Sequence, residues 1–110
     1  MSYSISCDPA RIDVTAVHAF LTQHSYWAKG IPLATVQRAL ANSLCFGAYD
    51  DAGAQVGFAR LVTDRATFAY LADVYVEPAH RGRGVSKLLM QAVMAHPEVQ
   101  GLRRWMRATA

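Results

Sequence analysis

The sequence is poor in the features that assign a protein to a class at a glance. It has two cysteines, Cys7 and Cys45, too few for a disulfide scaffold. Each sits in an apolar, strand-like stretch, and the expectation is a small hydrophobe rather than a bridge or a nucleophile. The histidines His18, His24, His80 and His96 are scattered, and no Cys/His spacing suits a metal, so none is expected. No apolar run approaches the ~18–20 residues of a membrane span, and no membrane partner is expected. Residues 1–13 lack a basic start leading into an apolar stretch, so no secretory signal is read and a cytoplasmic location is the default. Charge is also scarce. Charged residues make up 17% against 53% hydrophobic, a balance that excludes disorder and supports a packed core.

The net charge is +3, which raises nucleic acid as a partner. The cations are spread out, however, except for Arg81, Arg83 and Lys87 in one turn and Arg103, Arg104 and Arg107 near the end. A local anionic ligand explains the first group better than a nucleic-acid footprint, and the second reads as a solvated face. No nucleic-acid motif accompanies either, so no nucleic-acid partner is expected.

What is present is one domain's worth of patterned chain. The 110 residues fit a single domain spanning 1–110. Tyr3 to Cys7 alternates like a strand. Asp13 can cap a helix carrying Val14, Val17 and Leu21 on one face. Tyr26 to Gly30 reads as a loop, and Pro32 fits the first turn of a second helix lined by Leu33, Val36 and Leu40. Leu44 to Tyr49 and Gln55 to Val62 are strands joined by the turn signal Asp50-Asp51-Ala52-Gly53. Thr67 to Val76 is nearly all apolar or aromatic, as expected of a central strand covered on both faces. Val85, Leu88, Leu89, Ala92 and Val93 mark an amphipathic helix that Pro97 stops. Leu102 to Thr109 reads as a last strand. The order β-α-α-β-β-β-α-β predicts an α/β fold with a mixed sheet and helices packed against it.

One stretch carries chemistry: Val74-Tyr75-Val76-Glu77-Pro78-Ala79-His80-Arg81-Gly82-Arg83-Gly84-Val85-Ser86-Lys87. A buried strand runs into a glycine-rich bend that opens straight into a helix. The first helical turn leaves about four N–H groups without intrahelical partners, and the macrodipole adds roughly half a positive charge there. Gly82 and Gly84 clear the approach, while Arg81, Arg83 and Lys87 add formal charge. The combination suits a diphosphate. The Walker pattern and the three-glycine dinucleotide fingerprint are both missing.

These residues resemble the acetyl-CoA-binding motif of the GCN5-related N-acetyltransferases, Arg/Gln-x-x-Gly-x-Gly/Ala after a strand ending in Val-x-Pro. Arg81 and Gly84 match, Val76-Glu77-Pro78 matches the strand end, and Ser86 departs from the final Gly/Ala. The resemblance implies an acyl-CoA N-acyltransferase fold with a mostly antiparallel central sheet. It implies acetyl-CoA as co-substrate and a primary amine, on a small molecule or a protein, as acceptor. Amides from Gly82 to Lys87 would hold the pyrophosphate, and the free edge of Val74, Tyr75 and Val76 would pair with the pantetheine amides. In this family the amine attacks the thioester directly. The family usually continues with another helix and two strands, which carry a tyrosine near the departing thiolate. No residue here inherits that role by position. The implied domain is C-terminally incomplete, and its last strand edge invites a homodimer.

On the acceptor side, Asp73 is the only acid in the central strand. Two readings stand together: a general base or cation site, with burial favouring the protonated form, or a structural carboxylate bonded to backbone or to Arg60. Tyr26 and Trp27 lie between the first two helices, where the family builds its acceptor pocket. They would flank an amine or anchor the core. Tyr70 and Tyr75 fall on opposite faces of the strand by simple alternation. A non-catalytic acyl-CoA-binding module is the alternative to an enzyme.

Overall fold

A computed structural model of the chain describes residues 2–24 and 29–107. Tyr26 and Trp27, the expected acceptor-binding aromatics, lie outside the described residues. The elements in chain order are β1 (Ser4–Ser6), α1 (Val14–His24), α2 (Leu33–Ala41), β2 (Leu44–Tyr49), β3 (Gln55–Thr63), β4 (Phe68–Val76), α3 (Val85–Ala95) and β5 (Arg104–Arg107). The strands form one sheet in the order β1-β2-β3-β4-β5. The first three pairings are antiparallel and β4–β5 is parallel. The expected α/β class, mixed sheet and element order are all present.

The two faces of the sheet are covered by different helices, and local sequence explains each. Val85, Leu89 and Val93 recur at helical spacing and bury α3 against Leu44, Phe46, Ala48, Ala59, Leu61, Ala69 and Leu71. Gly57 makes this close approach possible, because a Cβ there would lie 3.1 Å from Val85 Cγ1 and 3.3 Å from Leu89 Cδ1. On the opposite face, Val17 and Leu21 of α1 and Val36 of α2 pack on Cys45, Phe58 and Tyr75. Fully burying side chains of this size contributes about 1.5–3 kcal/mol each. Asp13 caps α1 as expected, accepting from Ala16 N–H at 3.0 Å.

Several expectations need correction. Pro32 is the residue before α2 rather than its first turn, and its carbonyl accepts the first helical bonds from Thr35 and Val36. Leu33 is exposed, because the helix turns it away from the sheet. Cys7 lies past the end of β1 and is exposed, whereas Cys45 is buried as expected. Among the described residues the last strand is Arg104–Arg107, with every residue exposed, and it starts two residues later than expected, while Thr109 lies outside the described residues. Tyr70 and Tyr75 share a face rather than opposing each other. Arg60 pairs Asp73 while Leu61 pairs Leu71, so Ala72 is an extra residue in β4. A bulge of one residue reverses the alternation beyond it. Accordingly Leu71 packs under α3 and Tyr75 under α1.

Candidate functional site

The bulge at Ala72 divides β4. Phe68 to Leu71 pair in parallel with Arg104 to Arg107 of β5. Beyond Leu71, among the described residues, no strand pairs with this edge of β4. On its other edge the strand stays paired with β3, as far as Gly57 opposite Val76. The Glu77 amide donates to Val56 O at 2.8 Å, so odd-numbered residues aim their backbone groups at β3. Alternation then aims those of Val74 and Val76 outward, along the open edge. The Val76 carbonyl is taken by the chain itself, accepting from Arg81 Nε at 3.0 Å. What the edge presents is the Val74 N–H and C=O and the Val76 N–H. Val74 is 39% exposed, the most exposed residue of β4. The expectation of a strand covered on both faces fails at the very residue that the open edge needs.

The bend beyond the strand follows from its residue types. Pro78 starts a single turn of 3-10 helix, Pro78–His80, and the Arg81 amide closes it onto Pro78 O at 3.3 Å. Gly82 and Gly84 then adopt φ of 77° and 80°, a left-handed conformation that side-chain-bearing residues rarely take. Nothing lies within 4 Å of a Cβ built on either. Gly84 also stands as the N-cap of α3 without a side-chain cap, and the first helical bond runs from Leu88 N to Gly84 O. The amides of Val85, Ser86 and Lys87 therefore precede the helical ladder. Among the described residues none of them donates a hydrogen bond. Arg81, Arg83 and Lys87 are exposed around this array. The geometry is a cradle of backbone donors with cations on its rim, which fits an anion of diphosphate size.

Asp73 sits at the inner end of the open edge, one residue past the bulge, and is 7% exposed. Its Oδ2 accepts from Arg60 Nε at 2.7 Å. Arg60 also donates from Nη1 to Ser43 Oγ at 3.2 Å, and Ser43 Oγ donates to Ala39 O at 2.7 Å. The carboxylate is thus braced through Arg60 to the end of α2. Asp73 Oδ1 has no hydrogen-bond partner among the described residues. Neighbouring Cys45 is opposite Arg60, and burial pushes its thiol up to about 11, so it stays protonated and unreactive. Tyr75 is buried between rings. It stacks on Phe20 at 3.9 Å and 9°, and tilts against Phe58 at 5.8 Å. Burial raises its hydroxyl pKa, which keeps the phenol protonated near neutrality. No group of three or more metal-ligating side chains occurs among the described residues.

Sequence reasoning placed Val74 to Val76, Arg81 to Lys87 and Asp73, and the fold brings all three segments along one edge of β4 and its exit. It named Arg60 only as a possible partner of Asp73. It missed the bulge at Ala72, which has no local sequence signal, and the contact between Tyr3 and His80, which joins residues 77 positions apart.

A strand that parts from its neighbour and feeds a glycine bend at a helix start is the acyl-CoA N-acyltransferase fold. Residues 14–110 match the acetyltransferase (GNAT) family, and the chain belongs to that family. A solved structure assigned to the GNAT family from Xanthomonas campestris is 56% identical, with a TM-score of 0.96 over the whole of this chain and 77% of that one. A protein of Gibberella zeae named as an acetyltransferase is 35% identical over an alignment covering 81% of this chain. The chain spans 60% of the length of that curated relative. A GNAT-family protein from Streptococcus pneumoniae, at 23% identity and a TM-score of 0.72 across 99% of this chain and 75% of that one, shares the fold.

Proposed function

We propose that this protein binds acetyl-CoA and transfers its acetyl group to a primary amine of a small molecule or a protein by direct attack. One observation supports this above the rest: an open strand edge and the amides of Val85, Ser86 and Lys87, which precede the helical ladder of α3, lie in succession along a single stretch of backbone. The amides of Gly82 to Lys87, with Arg81, Arg83 and Lys87 at the rim, hold the diphosphate. Val74 and Val76 pair with the amides of the pantetheine arm, which adds to the sheet as a short strand. Val76 lies four residue steps along the strand from Ala72, roughly 13 Å at ~3.3 Å per residue. An arm laid along this edge brings its thioester to the split between β4 and β5, beside Asp73. A main-chain N–H of this edge, near Val74 or Val76, then polarises the thioester carbonyl.

In the reaction the amine nitrogen forms a bond to the carbonyl carbon, the carbon–sulfur bond breaks, and the thiolate leaves and takes up a proton. The attacking nitrogen must lose a proton. Asp73 Oδ1 accepts it through water or holds the incoming ammonium, while Arg60 fixes the other oxygen. Tyr26 and Trp27 are proposed to flank the acceptor. The protein works in the cytoplasm in this reading, and two copies associate along the β5 edge.

The test is thiol release from acetyl-CoA against a panel of amines. Release with at least one amine, lost in Asp73→Asn with acetyl-CoA affinity kept, supports catalysis through Asp73. A second reading, a non-catalytic acyl-CoA-binding module, draws support from the Arg60 ion pair, which engages the carboxylate that a base would need. It predicts thermal protection by CoA with no thiol release from any amine.

A further inference from the structure

The glycine bend is anchored on both sides. Downstream, Val85 and Leu89 are anchored in the core at 1% and 0% exposure. Between the ends, Gly82 and Gly84 sit in open surroundings with freely adjustable backbones. Upstream, two of the ties are local: His80 N to Glu77 O at 2.9 Å and Arg81 Nε to Val76 O at 3.0 Å. A third tie comes from the far edge of the sheet. Tyr3, at the entrance to β1, places its hydroxyl 2.9 Å from His80 Nδ1, and the two rings meet edge to face at 5.7 Å and 83°. β1 and β4 are three strand spacings apart, roughly 14 Å. The segment after β4 must therefore cross the ends of β3 and β2 to make this contact. Both partners are half-buried, and Tyr3 packs against the core under α3.

We infer that Tyr3 is a positioning residue for the anion cradle, clamping its upstream arm across the top of the sheet through His80. The hydroxyl donates to Nδ1 in the tautomer that carries its proton on Nε2. With this bond in place, the arm that carries Arg81 into Gly82 has one orientation, and the amides that follow are presented together. Without it, the two glycines let the arm swing, and a ligand must order the cradle as it binds. The inference rests on the acyl-CoA reading for the identity of the ligand, but not for the clamp itself.

The test uses Tyr3→Phe, which keeps the ring contact and removes only the hydroxyl, together with His80→Phe and the double variant. CoA affinity is measured by calorimetry. Amide hydrogen exchange of the ligand-free protein is read at His80, Arg81 and Leu88, whose N–H groups are bonded on either side of the bend. The expected result is CoA binding weakened about 3- to 10-fold, the range of one net hydrogen bond. His80→Phe gives the same loss and the double variant adds nothing to it. Exchange speeds up by a similar factor at those amides while Phe58 and Leu61 in β3 are unchanged. The KM for acetyl-CoA rises and kcat is kept, a split that general destabilisation does not produce. Unaltered exchange at the three amides overturns the clamp, and so does unaltered CoA affinity in a wild type that binds CoA. If the wild type does not bind CoA, the acyl-CoA reading fails, and the exchange data alone still decide whether Tyr3 holds the bend.

Discussion

The two halves of β4 have the same kind of sequence and opposite fates. Phe68 to Leu71 and Ala72 to Val76 are both apolar or aromatic, with Asp73 the single exception. The first half is bonded on both edges, by β3 and by β5. The second keeps β3 and leaves its other edge open. The first half can only support the core. The second, followed by the bend, leaves backbone donors and acceptors open, and in the proposed function these meet the ligand. A single inserted residue, Ala72, marks the change. In the proposed function, ligand binding depends on which backbone groups the sheet leaves unspent, and side-chain identity is secondary to it.

Proline substitutions break the comparison most sharply. Tyr75→Pro removes an N–H aimed at β3 together with a buried ring, and is expected to cost at least ~3 kcal/mol and unfold the protein. Val74→Pro removes an N–H aimed at the open edge. It is expected to leave a cooperative thermal transition in circular dichroism but to weaken CoA binding at least about tenfold, the value of one 1.4 kcal/mol contact. Equal stability losses in the two variants would remove the asymmetry on which the site is built.

The Arg60–Asp73 pair separates structural from catalytic roles. Arg60→Leu leaves a buried carboxylate uncompensated and is expected to destabilise by about 3 kcal/mol, measured by urea unfolding. The value lies at the low end for buried pairs because the Arg60 side chain is 21% exposed. Adding Asp73→Leu to that variant is expected to recover most of the loss. Gly84→Val should be milder in stability, about 1–2 kcal/mol for forcing a β-branched residue to φ 80°. Its effect on CoA affinity should be larger than its effect on unfolding.

The smallest effect is electrostatic and lies on the face away from the bend. Cys45 is pushed from 9.0 up to about 11, chiefly by burial. The unfolded chain loses this proton first as pH rises, so the contribution is complete below pH 9 and is lost between about 9 and 11. Cys45→Ala or Cys45→Val should flatten the decline in unfolding midpoint over that window. In the native protein a thiol reagent should modify exposed Cys7 and spare Cys45.

Much of this fold was legible because its signals are local. The 3.6-residue spacing from Val85 to Val93, the capping Asp13, and the turn Asp50 to Gly53 each specify their element without outside help. The bend after β4 was legible for the same reason, since Pro78, Gly82 and Gly84 dictate their own backbone. Three features were not. The bulge at Ala72 is set by pairing against β3, and it put Tyr70 and Tyr75 on one face where alternation separates them. The exposure of Leu33 depends on how α2 sits over the sheet. The Tyr3–His80 contact exists only because the chain crosses the sheet ends. Each depends on residues far apart in sequence, which spacing and propensity do not register.

The most direct test is an amide chemical-shift map of the protein titrated with CoA. The account predicts that the largest changes fall on Val74, Val76 and the run from Gly82 to Lys87, with Phe68 to Leu71 nearly still. Changes centred on Arg103 to Arg107, or none anywhere at saturating CoA, would contradict it.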